Sequence, residues 1–299
     1  MKRLIEFIIN FFKKLFKRDE NNVIYYTTYD GKVVNIRYTY PKPFGDAIVK
    51  SNTYEDGRGV IRFNKPVKTI FPYTFKDAYN LETITLPESL ENIEHLVFNN
   101  ERIKAFYGKF ASEDNKSLIV GNKLVAVAFA GINSYVVPDN VENFCHVFKN
   151  LKRKDLSITV NNYCGNSDDF YHSYVQLISN APNVPDWSFA NNGFSKVTIG
   201  ENTKTIGKSA FMRAKGEYYY DIALYIPYSE KCQIICNPTI PPTLGDEYVF
   251  GSISPGTDQD WPEDHFIYQS IKVPKNSLFI YKVKWNKYSN YLQLNSSLY

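Results

Sequence analysis

The sequence predicts a mainly β protein, built as a solenoid of short parallel strands and preceded by an amphipathic helix. Two observations predict this fold class. Short alternating strand patterns recur along the chain, each followed by a Pro or Gly and then by an aromatic residue. The first 18 residues follow a helical period instead.

Composition indicates a folded chain with no general affinity for nucleic acid. Of 299 residues, 43% are hydrophobic and 22% charged, enough apolar material for a core. The net charge of +4 arises from residues 1–18, which hold six Lys/Arg and one Glu; the remainder carries 29 basic and 30 acidic residues. A basic face is the usual electrostatic sign of nucleic-acid binding, so no nucleic-acid partner is expected.

Residues 1–20 predict a basic amphipathic helix that serves as an anchor. At about 100° per residue, one half of this helix is apolar and includes Leu4, Ile8, Phe11, Phe12, Leu15 and Phe16. The other half is polar and includes Lys13, Lys14, Lys17 and Arg18. No cleavage site follows, and the run is too short to span a bilayer. We expect it to lie on an anionic membrane surface, dock into a partner or sister subunit, or pack on its own domain.

A repeat is visible from Val67 to Asn100, where Ile70 and Ile93 are 23 residues apart, as are Phe75 and Phe98. Similar units occupy 82–98, 133–148 and 195–211, with weaker copies at 222–230 and 269–277. One unit cannot bury its apolar side alone, whereas stacked units bury a continuous one. We therefore expect successive rungs at Ile84, Tyr135, Val197 and Leu224.

These units resemble the BspA-like leucine-rich repeat, which reads as strand, Pro-Asp/Glu-Ser-Val, Ile-Gly and Ala-Phe. The resemblance implies a leucine-rich-repeat solenoid with an N-terminal β cap at 21–66, repeats over 67–245, and a last repeat with a C-terminal capping helix at 246–299. That helix carries Tyr281, Trp285 and Tyr288. A hairpin insertion is expected at 106–132, turning at Gly121-Asn122. Residues 149–195 fit no repeat and are expected to form an irregular insertion.

Side chains that alternate with the rungs point outward. Because Ile84 and Leu86 face the interior, Thr85 between them faces out. The matching positions form a predicted partner-binding face: Thr85, Val136, Thr198, Tyr225 and Lys272.

Catalytic and metal chemistry have little support in the sequence. "GENTKTIGKS" at 200–209 resembles a phosphate loop, but six residues separate its glycines where four are needed. Cys232 and Cys236, four apart on a strand, are too distant to bridge and are expected to be buried thiols. His95 and His146 hold equivalent repeat positions without matching carboxylates, so no metal site is predicted. Cys164 and His172 are the one pair that a hydrolase could use.

The expected function is a non-enzymatic binding or adhesion module without cofactor, contacting a protein or glycan. Proteins that resemble this family are mostly bacterial surface or adhesion proteins. Because residues 1–20 lack a cleavage site, a structural component of a larger particle, such as a phage virion protein, is the alternative. In that case the N-terminal helix docks in a neighbouring subunit. The protein is accordingly expected at a cell surface or in a virion.

Overall fold

The computed structural model describes residues 21–38, 40–98, 101–162, 167–171, 173–190, 192–212, 232–250 and 268–295. These residues form a mainly β solenoid, as predicted. The chain divides into two compact units: Met1–Gly131 with Phe144–Val147, and Ile132–Asn143 with Phe148–Tyr299. Several sequence predictions fall outside the described residues: the helix at 1–20, Cys164, His172, Leu224 and Tyr225.

The first unit contains the strands β1 (Val23–Thr28), β2 (Val49–Glu55), β3 (Arg58–Phe63), β4 (Thr69–Ile70), β5 (Leu81–Leu86), β6 (Asn92–Ile93), β7 (Ala105–Gly108), β8 (Ser117–Val120) and β9 (Lys123–Val127). Its main sheet has the order β2-β3-β1-β5-β7 among the described residues. Strand β1 is antiparallel to both β3 and β5, whereas β5 and β7 are parallel. The N-terminal strands thus cover the open edge of the first coil, an edge that would otherwise invite pairing with another chain.

The repeat spacing in the first unit corresponds to one turn of the coil. Ile70 and Ile93 are register partners on the parallel strands β4 and β6. Phe75 and Phe98 stack with ring centroids 5.6 Å apart and planes 8° apart. Residues 23 positions apart therefore occupy equivalent positions in successive coils of the solenoid. The stacked aromatic rings form the contact between these coils.

The region predicted to form a hairpin contains the antiparallel pair β8–β9. Val120 and Lys123 close a two-residue loop in which Gly121 has a φ of 62°. Glycine tolerates this left-handed backbone, and the resulting turn matches the twist of the two strands.

The second unit contains the strands β10 (Ser134–Val136), β11 (Ser157–Val160), β12 (Gln176–Ser179), β13 (Asn183–Val184), β14 (Lys196–Ile199), β15 (Thr205–Ile206), β16 (Cys232–Cys236), β17 (Thr243–Leu244), β18 (Tyr268–Val273) and β19 (Leu292–Leu294). Its helical segments are 3-10 turns at Ser167–Phe170, Lys275–Ser277 and Asn286–Tyr291, and the α-helix α1 (Leu278–Lys284). Within the described part of the chain, a parallel seven-stranded sheet runs β10-β11-β12-β14-β16-β18-β19.

The order of the strands in this sheet differs from the order of rungs that the sequence predicted. The inward register runs through Tyr135, Ile158, Leu177, Val197, Ile234, Ile271 and Leu292. Tyr135 and Val197 are therefore separated by two further rungs, and Ile84 lies in the sheet of the other unit. The rung after Val197 is Ile234, on the strand that holds the two cysteines.

The prediction that 149–195 is an irregular insertion is also wrong, because β11 and β12 are two regular coils within it. Their strands are followed by Asn161 and Asn180 in place of Pro or Gly. The Asn180 amide donates to the Asn161 side-chain oxygen at 3.0 Å, and the Asn161 amide donates to Asp139 at 2.9 Å. A column of Asx side chains thus forms these turns, since Asn and Asp readily bond to local polar groups at turns.

Aromatic rings fill the interior of the second unit from layer to layer. Phe148 stacks on Phe170, Phe189 on Phe211, and Phe211 on Phe250, with centroids 4.9, 5.3 and 5.7 Å apart. Between these layers the backbones approach so closely that a Cβ at Gly207 would clash with the backbone of Pro185 and Asp186. The glycine of the Ile-Gly pair is therefore required by close packing between coils.

The C-terminal segment ends the stack with three anchored aromatic side chains. The Tyr281 hydroxyl donates to the Pro238 carbonyl at 2.8 Å, and the Tyr288 hydroxyl donates to the Glu247 carbonyl at 2.7 Å. Trp285 Nε1 donates to the Pro242 carbonyl at 2.9 Å. The prediction of one helix carrying all three residues is corrected, because α1 holds only Tyr281, Trp285 follows its last residue and Tyr288 lies in the next 3-10 turn. Together the three side chains satisfy carbonyl groups of the preceding coil.

Candidate functional site

The outward face of the seven-stranded sheet is the most extensive regular surface of the second unit. One row of side chains on it, here called the central row, follows the strand register: Val136, Thr159, Ile178, Thr198, Ile235, Lys272 and Gln293. Its two end members are exposed and the five between them are half-buried. Because neighbouring strands lie about 4.8 Å apart, the row is about 29 Å long.

Three of the five predicted binding residues, Val136, Thr198 and Lys272, lie in the central row. Thr85 does not, because it belongs to the sheet of the first unit, and Tyr225 lies outside the described residues. The sequence prediction missed Thr159, Ile178, Ile235 and Gln293. The one available signal was the polar–apolar alternation in "SITV", which places Thr159 outward, whereas "QLIS" and "CQIIC" carry an apolar residue at the outward position.

A second, polar row runs beside the central row on the first five strands of the sheet, two residues earlier on each: Ser134, Ser157, Gln176, Lys196 and Gln233. The Gln176 amide donates to the Lys154 carbonyl at 3.0 Å. We call the central and polar rows together the ladder face. Neither row contains an acidic residue, so the face combines apolar and hydroxyl groups with hydrogen-bonding groups and two lysines.

Thr85 lies on a different surface, the outer face of the first unit's sheet. It is in register with Tyr25 on one side and Tyr107 on the other. The Arg58 guanidinium covers the Tyr25 ring at 3.6 Å from its centroid, whereas Tyr107 is exposed. Thr85 therefore sits between two tyrosines on an outer face, one of them covered by an arginine.

The described thiol and imidazole groups are those to consider for catalysis or metal binding. Cys236 is fully buried, and burial raises the pKa of its thiol to about 12, although the Tyr281 hydroxyl lies 3.3 Å from the sulfur. His95 and His146 approach each other with ring centroids 6.2 Å apart. No group of three or more His, Cys, Asp and Glu side chains that could hold a metal ion occurs in the described ranges.

In the part of the chain that the structure describes, no helix has both the length and the apolar character needed to cross a bilayer.

Comparison with known proteins identifies the repeats. The family described as BspA type Leucine rich repeat region matches in six copies, over residues 59–115 and 145–219. The second range includes β11 and β12, the coils that sequence reasoning left unassigned. Comparison with curated proteins finds no match. Among solved structures, the chain is similar to a leucine-rich repeat protein from Bacteroides ovatus, with 12% identity over 88% of this chain and 98% of that chain, and a TM-score of 0.26.

Proposed function

We propose that this protein with BspA-type leucine-rich repeats is a non-enzymatic binding module that contacts a protein or glycan partner through its ladder face. Leucine-rich repeats of this type point to an interaction or adhesion role. The observation that carries the proposal is the continuous central row across the seven-stranded sheet. Solenoids bind through such extended faces because each coil adds one more contact position in line.

The residues of the central row suit a contact surface. Thr159, Ile178, Thr198 and Ile235 are β-branched, so their side chains have few rotamers to lose on binding. The strand backbones are already paired with each other and hold these side chains at fixed spacing. The polar row alongside supplies amide, hydroxyl and ammonium groups that fix the orientation of a partner.

The size of the ladder face sets the expected affinity. A length of about 29 Å and a strand length of about 15 Å give a footprint of roughly 400 Å². This is about half of what each partner buries in a standard-sized interface. We therefore expect a weak to moderate affinity for a single domain.

One of the described cysteines, Cys236, is in no state to act as a nucleophile. With a pKa raised to about 12, Cys236 stays protonated at neutral pH, and the thiol form is a poor nucleophile. It also lies in the interior beside Tyr281, where no substrate reaches it.

The test compares arginine substitutions on the ladder face with a matched control. Full-length protein is screened on arrays of glycans and of surface and matrix proteins, and the affinity for each hit is measured by interferometry. Ile178→Arg and Thr198→Arg, at the centre of the row, are expected to weaken binding at least roughly tenfold. Thr205→Arg makes the same chemical change on β15 in a different sheet and is expected to bind as wild type. Equal binding by all three variants would refute the proposal.

We also propose that residues 1–18 anchor the module. The support is their separation into an apolar half and a basic half with a net charge of +5. The full chain is expected to float with vesicles that contain phosphatidylserine, and Phe11→Glu with Phe12→Glu is expected to reduce this. If the full chain does not float with these vesicles, the alternative is favoured, in which this segment docks into a neighbouring subunit of a larger assembly such as a virion.

A further inference from the structure

The capping helix α1 is apolar on its outer side as well as its inner side. Tyr281 and Trp285, the residue directly after the helix, face the core and are almost fully buried. On the opposite side, Phe279 is 81% exposed, Val283 61% and Ile280 37%. A helix that is apolar around most of its circumference is normally covered on all sides. The outer side of α1 therefore has the composition of a contact surface.

Lysines flank this exposed apolar strip on both sides. At about 100° per residue, Phe279, Val283 and Ile280 span roughly 100° of the helix surface, with Lys282 beyond one margin and Lys284 beyond the other. Both lysines are exposed. Lysine side chains in this position can lay their methylene stems along an apolar phase and keep the ammonium group in water.

The segment that contains α1 is basic. Residues 275–299 contain four lysines and neither Asp nor Glu. One of the four, Lys287, pairs with Glu247 of the preceding coil at 2.6 Å. The basic charge of this segment therefore lies next to the exposed apolar strip. The residues between the N-terminal helix and this segment carry more acidic than basic side chains.

We propose that the outer side of α1 is a lipid-contact site, with Phe279, Ile280 and Val283 entering the interface of an anionic bilayer and Lys282 and Lys284 binding its headgroups. Exposed aromatic and aliphatic side chains beside lysines are the combination that anionic membrane surfaces select. This site lies in the folded cap and is distinct from the anchor proposed for residues 1–18.

A second copy of the chain fits this surface less well. A twofold contact would bring Lys282 and Lys284 close to the same lysines of the other copy. Three apolar side chains also fall well short of the roughly 800 Å² per partner that a stable interface buries. An anionic bilayer matches both the charge and the small apolar area without requiring a complementary groove.

The experiment measures partition of the full-length protein onto phosphatidylcholine vesicles with and without phosphatidylserine. Phe279→Ser with Val283→Ser is tested in the wild-type chain and in the Phe11→Glu/Phe12→Glu background, which separates this site from the N-terminal anchor. Ile240→Ser is the control, since Ile240 is 68% exposed elsewhere in the same unit. Thermal melting and light scattering check fold and oligomeric state for each variant.

Serine at both positions is expected to lower partition on anionic vesicles by on the order of tenfold in both backgrounds. Lys282→Gln and Lys284→Gln are expected to lower it about fivefold each, and only where phosphatidylserine is present. The control keeps wild-type partition. Unchanged partition in both backgrounds would overturn the proposal, as would a change in oligomeric state without a change in partition. Loss of partition with Phe11→Glu/Phe12→Glu and no further loss from the serine pair would also overturn it, because the N-terminal anchor would then account for all of the binding.

Discussion

The hydroxyl of Tyr281 offers a sharp test of how the solenoid is capped. It is fully buried, donates to the Pro238 carbonyl at 2.8 Å and lies 3.3 Å from the Cys236 sulfur. Tyr281→Phe keeps the ring, which packs edge-on against Trp285 at 4.8 Å, and removes the oxygen alone. The Pro238 carbonyl then loses this donor in a buried site, at a cost of about 1–3 kcal/mol.

Urea denaturation followed by circular dichroism measures this cost as a shift of the midpoint at constant slope. Tyr79→Phe is the matched control, because Tyr79 is exposed and its substitution is expected to change the free energy of unfolding by less than about 0.5 kcal/mol. If Tyr281→Phe is as stable as Tyr79→Phe, the hydroxyl does not hold the cap to the preceding coil, and our account of how the stack ends is wrong.

Three further predictions follow from the packing and from the buried titratable groups. Gly207→Ala is expected to destabilise the fold by about 1–3 kcal/mol in the same assay, because its Cβ would meet the backbone of the previous coil; wild-type stability would contradict the close approach. Phe189→Ala removes a ring stacked between layers and is expected to cost about 3–5 kcal/mol, against a negligible change for the exposed Phe279→Ala. Burial raises the pKa values of Cys236 and Tyr288 to about 12 from 9.0 and 10.0, so the folded state retains protons that the unfolded state releases. The stability that these two groups contribute is complete below about pH 9 and is lost as the pH rises towards 12. Urea midpoints that stay constant from pH 8 to 11 would refute this pH dependence.

The sequence predicted the coils whose strands end in Pro or Gly and whose aromatic residue follows at a regular distance. Phe75 and Phe98 reveal their layer contact through spacing alone, because an equal number of residues returns the chain to an equivalent place. The aromatic residues of the C-terminal cap also follow from the resemblance, since Tyr281 must be held by the coil that it covers.

The coils of β11 and β12 were missed, although one of their steps fits the pattern. Tyr135 and Ile158 are 23 residues apart, but Ile158 and Leu177 are 19 apart and Leu177 and Val197 are 20 apart, so the regular step does not continue. Their turns use asparagine side chains that bond from layer to layer, and this contact is visible only once the layers are stacked.

Because these two coils were missed, only part of the ladder face was predicted from the sequence. Alternation within one strand is local, so Thr198 could be assigned to an outward position from its own neighbours. Which outward residues are adjacent depends on how many coils lie between them, and two missed coils displaced Val136 from Thr198. Ile178 and Ile235 were omitted because apolar residues next to buried ones give no strong alternation.

The continuity of the central row is the claim on which the proposed binding face depends, and paired cysteines test it directly. Thr159 and Ile178 are partners on neighbouring strands, about 4.8 Å apart, within the reach of a disulfide. Val136 and Thr198 are three strand spacings apart, about 14 Å, which is beyond that reach. We predict that Thr159→Cys with Ile178→Cys forms a disulfide on mild oxidation, detected by peptide mass spectrometry, and that Val136→Cys with Thr198→Cys does not. The opposite pattern would show that the row is not ordered as described.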